Sequence, residues 1–451
     1  MADVLITERP PRRRAAVHDL IAVGACAGLV VLAAVVGWAL LDSGVDIYLG
    51  FPPLLAAWMP HVGPGTPVAL VVAVLVVRYG PPLAGRMRWR PLLTSAYCAS
   101  LAWTLSLALV DGWERGVAGR LTTSDEYLHD VPGVTDIPGM LRTFADHILT
   151  TQVDPAQTWF WTTHVGAHPP AVFLLFVWLD RIGLGGGGPA GLLVVLIGSS
   201  ACVGVAVAMR ALDAERFARR ALPFGVLLPG AVWVGVSADG MFAGVLAWSI
   251  ALLAIAASTR GGRSVAASAS GGLLFGVCLY LSYGLVIAGL LPLAVVLARR
   301  AWRIVVPATA GVVLVVAVFT ASGFWWFTGF AHLRVIYAAS IASTRPYWYF
   351  VWADLAAVLF AMGPAIVAAL RRAVTSPAAL PLAAMLLPGA ALAAILLADL
   401  SGMSKAEVER IWLPFVVWLV PLCALLPRRR AWLVAQAVLA LAVNHLLLTV
   451  W

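Results

Sequence analysis

The chain has 451 residues, 62% of them hydrophobic and 11% charged, with a formal charge of +9. A soluble domain of this length does not carry so little charge. The positive excess is no nucleic-acid footprint either, because the basic residues fall in short clusters between apolar runs. Those runs are about 16–23 residues long, enough to cross a hydrocarbon core of ~30 Å as helices. Helices also satisfy their own backbone groups where no water can. The predicted class is an all-α polytopic membrane protein.

In chain order the predicted spans are 20–41, 64–79, 91–110, 187–209, 221–238, 240–258, 265–282, 284–298, 304–322, 347–370, 378–398, 411–427 and 431–450, thirteen in all. The basic cluster at Arg12–Arg14 precedes an apolar run too long for a cleavable signal, so 20–41 reads as an uncleaved first span. Of the 30 basic residues, 22 fall in the N-terminal tail and in 78–90, 210–220, 259–263, 299–303, 371–372 and 428–430. Only eight fall on the other side, while 16 of the 21 acidic residues do. By the positive-inside rule the N-terminus is cytoplasmic, and the outer passages are 111–186, 323–346 and 399–410. The basic residues are arginine in 29 of 30 cases, a compositional hint of a GC-rich bacterial genome that carries no mechanism, and the expected location is a bacterial plasma membrane. The five cysteines lie inside apolar runs without disulfide or CxxC spacing.

Residues 171–183 are apolar but short, and counting them as a span would put Arg210, Arg216, Arg219 and Arg220 outside. They are predicted as a juxtamembrane or re-entrant helix on the outer side, started by Pro169 and Pro170.

Chemistry is expected in the long first outer loop. It holds, from Asp111 to Asp180, nine of the acidic residues and four of the eight histidines. Asp111 follows directly on a span, where a carboxylate can take a proton from a hydroxyl nucleophile. An interfacial charge that ends a helix is the plainer reading of the same residue. Glu114 either shares the role or pairs with Arg115. Asp239, in a tight connection between spans, orients an acceptor or caps a helix. His164 and His168 are spaced i, i+4, but no HExxH glutamate is present and Pro169-Pro170 disfavours a regular helix there. They read as substrate-binding or structural histidines.

In the third outer passage Lys405 and Arg410 are candidates for a lipid-linked phosphate. The alternative is snorkelling, or pairing with Glu407 and Glu409. The middle passage is rich in aromatics, Tyr347 among them, which form an interfacial belt or stack on sugar rings. Arg334 and Arg345 there are secondary phosphate candidates.

The order of these features resembles the GT-C superfamily of polytopic glycosyltransferases, of the protein O-mannosyltransferase and lipid A aminoarabinose transferase type. The resemblance rests on Asp111 after an early span, on His168-Pro169-Pro170 leading into 171–184, and on Asp239 two spans later. It covers about 91–260, with a looser echo at 399–415. Two departures stand out. Asp111-Gly112-Trp113-Glu114 replaces an adjacent acidic pair and leaves the base open between Asp111 and Glu114. Residues 1–90 form an added tail and span pair ahead of the main domain, 91–451. The resemblance implies hexosyl or pentosyl transfer from a polyprenyl-phosphate donor to a hydroxyl of an envelope glycan, glycolipid or protein on the outer face. It implies Asp111 as general base, Lys405 or Arg410 at the donor phosphate, and action with or without a divalent cation. No cofactor is otherwise expected, and the remaining partners are membrane lipids. The alternative is a transporter or flippase for an envelope precursor, which would be expected to carry ionisable groups at mid-membrane. A non-catalytic scaffold is the third reading.

Overall fold

The computed structural model describes residues 13–450, and it has the expected all-α polytopic architecture. Nine helical segments among the described residues are long and apolar enough to cross a membrane. The helices used below are α1 (Arg13–Asp42), α2 (Thr66–Arg86), α3 (Trp89–Ala108), α4 (Ala171–Arg181), α5 (Gly187–Ser199), α6 (Ala201–Ala211) and α7 (Glu215–Val226). They continue with α8 (Ala238–Ser258), α9 (Gly261–Leu281), α10 (Val305–Ala321), α11 (Tyr347–Thr375), α12 (Leu382–Ser401) and α13 (Arg429–Leu446). Helix α4 starts directly after Pro170 and buries Val172, Phe173, Phe176 and Val177. It has 11 residues, too few to cross, and so lies within the long loop as the charge distribution requires.

Several predicted spans are irregular. The 221–238 passage is the end of α7, a break at 227–230 and one turn at Ala231–Val234. The 284–298 passage opens as a 3-10 turn, Tyr283–Gly289, before Leu290–Arg299. The 411–427 passage is two short turns followed by the 3-10 stretch Val417–Leu425. The last passage departs most: α13 stops at Leu446, and Leu447–Thr449 forms a strand (β2) antiparallel to Ala56–Trp58 (β1), with Ala57 opposite Leu448. Hydropathy alone carries the helix on to residue 450, but the partner strand claims these backbone groups.

Small residues set the tight helix packing. Helix α8 runs through the centre, and a side chain at Gly244 would collide with the Ile197 carbonyl of α5. One at Gly272 of α9 would strike the Ala308 carbonyl of α10. Close backbone approach through Gly and Ala is how helices associate where lipid gives no hydrophobic drive. Helix α11 kinks at Gly363 (φ 72), just before Pro364. Buried Gln436 of α13 answers the freed groups, accepting from Ala365 N at 3.1 Å and donating to Met362 O at 3.0 Å.

The first two helices are knitted into the bundle. Helix α1 packs along α11, and α2 packs on α3, α7 and α13. Buried Asp19 of α1 accepts from Nε and Nη2 of Arg372 at 2.9 and 2.5 Å and lies 3.0 Å from Arg371 Nε. Hydrogen bonds to charged partners contribute about 1.5–3 kcal/mol. Asp19→Asn is therefore expected to destabilise the protein by about that amount and to loosen α1. Thermal unfolding in mild detergent, with limited proteolysis of the 43–65 segment, measures it.

The opposite end of the bundle gathers the acidic loops. There Arg345 reaches Ile47 O, Arg120 reaches Thr449 O and Arg410 reaches Asp239. The passages after α1, α3, α12 and α13 thus meet at one end, called here the loop end.

Candidate functional site

Two charge clusters stand at the loop end. The first is built on Asp111, the last residue of the 3-10 turn Leu109–Asp111 that closes α3. Gly112 follows with φ 79, a left-handed conformation that turns the chain out of the helix. Asp111 Oδ1 accepts from Arg115 Nη2 at 3.1 Å and lies 3.0 Å from His61 Nε2. Oδ2 accepts from Arg120 Nη2 at 2.8 Å. Arg120 is buried and also donates through Nη1 to Thr449 O at 2.7 Å. Burial lowers the pKa of its guanidinium, and the Asp111 charge opposes that. Arg115 is half exposed, its side chain at 50%. One carboxylate between two guanidinium groups leaves a positive excess, with one cation open to solvent. That suits an anionic ligand. Glu114 is exposed and stands outside these pairs.

The second cluster is buried and closed. Asp239 lies in the first turn of α8, after Ser237 at the N-cap, and accepts from Arg410 Nη1 at 2.6 Å. Arg410 Nη2 donates to Glu407 Oε2 at 2.7 Å and reaches His164 Nε2 at 3.2 Å. Burial works against the charge on Arg410, but Asp239 and Glu407 outweigh it and raise its pKa. His164 Nδ1 meets Asp125 O at 2.7 Å, and His168 Nδ1 meets His164 O at 2.9 Å. A carbonyl only accepts, so both rings carry their proton on Nδ1, and His164 Nε2 is the acceptor for Arg410. Burial, with the Arg410 charge adding to it, pushes both imidazoles down and keeps them neutral. Tyr127 lies against both rings, its hydroxyl 3.1 Å from His168 Nδ1.

Glu126 completes this cluster, and no sequence pattern singles it out. It is 3% exposed, with Oε1 3.7 Å from His164 Nδ1 and Oε2 buried without a hydrogen-bond partner. Burial pushes its carboxyl up to about 7, with Arg410 opposing. The folded pKa thus exceeds the ordinary 4.5, so the folded state holds the proton more tightly between pH ~4.5 and ~7. This contribution to stability is full below ~4.5 and is lost as pH rises through ~7. The fall amounts to about 3 kcal/mol. Glu126→Gln removes that part of the pH dependence and makes the protein more stable than wild type at pH 8. Thermal unfolding of both proteins at pH 5 and pH 8 checks this, and an unchanged slope in the variant would assign the titration elsewhere.

The remaining predicted residues are distributed as follows. Lys405 Nζ donates to Ala342 O and Arg345 O, at 2.9 and 3.0 Å. Arg345 is buried, and its Nε, Nη1 and Nη2 donate to Ile47 O, Lys405 O and Tyr48 O. Both residues hold loop backbone together and present little to a phosphate. Tyr347 donates to Leu400 O, and Arg334 is exposed. The structure therefore joins Asp239, His164, His168 and Arg410 in one network, with Arg345 and Lys405 at its edge through Glu407. Asp111 stands in the separate cationic cluster. Glu409 is buried next to Arg410, one oxygen without a hydrogen-bond partner, and burial pushes it up to about 7. Asp354, within α11, accepts from Ala406 N at 3.0 Å and so belongs to the loop end. Among the described residues no group of three or more His, Cys, Asp or Glu side chains is arranged to hold a metal ion.

No family model matches the chain, and no curated protein matches it. Among solved structures, that of ArnT from Cupriavidus metallidurans in the apo state is similar, with 18% identity and a TM-score of 0.43. The match covers 73% of this chain and 59% of that one, so the chain spans less than two thirds of its length.

Proposed function

We propose that the protein is a membrane glycosyltransferase that moves a sugar from a polyprenyl-phosphate donor to an envelope acceptor hydroxyl at the outer face of a bacterial plasma membrane. The observation that carries this reading is Asp111, fixed at the end of α3 between a buried and a half-exposed guanidinium. Anion recognition and a carboxylate base are thereby offered side by side.

The donor phosphate is placed at Arg115, with Arg120 behind it, in preference to Lys405 and Arg345, whose donors are directed to carbonyls. Asp111 takes the proton of the acceptor hydroxyl as its oxygen attacks the anomeric carbon. The bond to the phosphate oxygen breaks with its electron pair, and the prenyl phosphate leaves with its charge held by the guanidinium groups. A single displacement inverts the anomeric centre. The Asp239–Arg410–His164 network acts as the clamp that fixes the long loop against α8 and the 402–412 passage.

Transfer of labelled sugar from a polyprenyl-phosphate donor, in membranes containing wild type or Asp111→Asn, tests the assignment. A second reading puts the base at Glu126, favoured by its unpartnered oxygen and raised pKa. Loss of transfer in Glu126→Gln with full transfer in Asp111→Asn would select it.

A further inference from the structure

An open depression of about 460 Å³ lies at the loop end, apart from Asp111. Its walls include Asp46, Tyr48 and Leu55 from the segment after α1, Ile341 and Arg345 before α11, and Glu407 after α12. Small-molecule sites measure ~300–1,000 Å³ and combine apolar walls with a few placed polar groups. Three residues around it hold left-handed backbone without being glycine: Tyr48 (φ 53), Ala406 (φ 71) and Glu407 (φ 62). Each such residue costs roughly 1–3 kcal/mol, and such strain gathers at ligand clamps.

The lining selects its ligand by charge. Two carboxylates, Asp46 and Glu407, face one guanidinium whose Nε, Nη1 and Nη2 are already bonded to carbonyls. Glu407 is already paired with Arg410, the carbonyl bonds leave Arg345 little to offer an anion, and the exposed Asp46 carboxylate stands without a cation among the described residues, so a phosphate or carboxylate is repelled. Hydroxyl groups are not: they donate to carboxylates. Asp46 is exposed, and its Oδ1 accepts from Tyr48 N at 2.8 Å. Tyr48 is 41% exposed as a residue and supplies an apolar ring with a polar tip to a lining that includes Leu55 and Ile341. Acceptor oxygens around an aromatic face fit a neutral pyranose or furanose ring.

We propose that this depression is a subsite for one neutral sugar residue of the acceptor glycan, walled on one side by the added N-terminal segment. Glu407 belongs both to the subsite and to the Arg410 cluster, since its Oε2 accepts from Arg410. A sugar held there is therefore coupled to the clamp that holds the long loop. That the sugar belongs to an acceptor rests on the transferase reading; that the depression binds a neutral sugar does not.

The test uses the full chain in phosphatidylcholine nanodiscs, because common detergents carry sugar headgroups. Saturation-transfer NMR is recorded with methyl α-mannopyranoside, methyl β-glucopyranoside and methyl arabinofuranoside, and with inorganic phosphate as competitor. Wild type is expected to transfer saturation to the ring protons of at least one glycoside, and phosphate at ten times the glycoside concentration leaves the signal intact. Tyr48→Ala, at an exposed position, reduces it at least five-fold, as does Leu55→Trp, which fills the space. No signal in wild type, an unchanged signal in Tyr48→Ala, or displacement by phosphate overturns the subsite. In the transfer assay Tyr48→Ala should raise the acceptor KM at least five-fold with kcat within two-fold of wild type. Sugar binding without any transfer by wild type would end the transferase reading and leave the subsite standing. Transfer with an unchanged acceptor KM in Tyr48→Ala would overturn the acceptor assignment alone.

Discussion

Asp111→Asn is expected to reduce sugar transfer by roughly 10²–10⁴-fold, the range for loss of a positioned acid or base. Asparagine keeps the size of the side chain and one oxygen for Arg120 or Arg115, so the turn after α3 survives. What disappears is the group that accepts a proton. The kinetic pattern separates this from a structural effect. Loss of an interaction made only in the transition state lowers kcat, whereas loss of ground-state binding raises KM. Removing the Asp111 charge leaves Arg115 and Arg120 more strongly cationic, so the donor KM should stay level or fall while kcat collapses. A variant that loses donor affinity and keeps kcat would show Asp111 to be only a scaffold for the two arginines. Full transfer by the variant would end the base assignment.

Arg410→Met should have the largest effect on stability. It leaves Asp239 and Glu407 without their shared cation and His164 Nε2 without its donor, with Asp239 and His164 buried and Glu407 partly so. Breaking a buried ion pair from one side costs about 3–5 kcal/mol, because the remaining charge is uncompensated. The consequence is local as well as global. His164 ties Asp125 to Arg410, so the 112–170 loop loses its anchor to α8 and should become sensitive to protease. Adding Asp239→Asn removes one of the stranded charges and should recover part of the loss. For residues in direct contact the coupling should fall within ~0.5–3 kcal/mol in a double-mutant cycle. Additive effects of the two substitutions, or unfolding of Arg410→Met at the wild-type temperature, would show that the network is not the clamp described.

Particular residues show how far the sequence reads. Helix α4 was legible because Pro169-Pro170 and an apolar stretch too short to cross give only one local solution. The end of the last passage was not. Leu447 and Leu448 are apolar enough to continue a helix, and only the presence of 56–58 beside them turns Leu447–Thr449 into a strand. His164 and His168 were visible as a pair, yet their tautomers depend on the carbonyls of Asp125 and of His164 itself in the folded loop. Glu126 and Arg120 were hidden among similar residues. A carboxylate beside Asp125 carries no spacing signal, and its raised pKa comes from burial in the folded loop, with Asp239 of α8 adding to it and Arg410 opposing.

The sequence by itself determined the membrane class, the rough succession of apolar passages and the segregation of acidic from basic loops. Lipid and water act on each segment separately, so hydropathy and charge along the chain suffice for these. The tertiary structure decided which charges meet. Asp239 and Arg410 are 171 positions apart and come within 2.6 Å only because α8 and the passage after α12 end at the same face. It also separated Asp111 from that pair by giving it Arg115, Arg120 and His61 as partners. An ion pair inside a protein is set by distance and burial, and neither can be read from position in the chain.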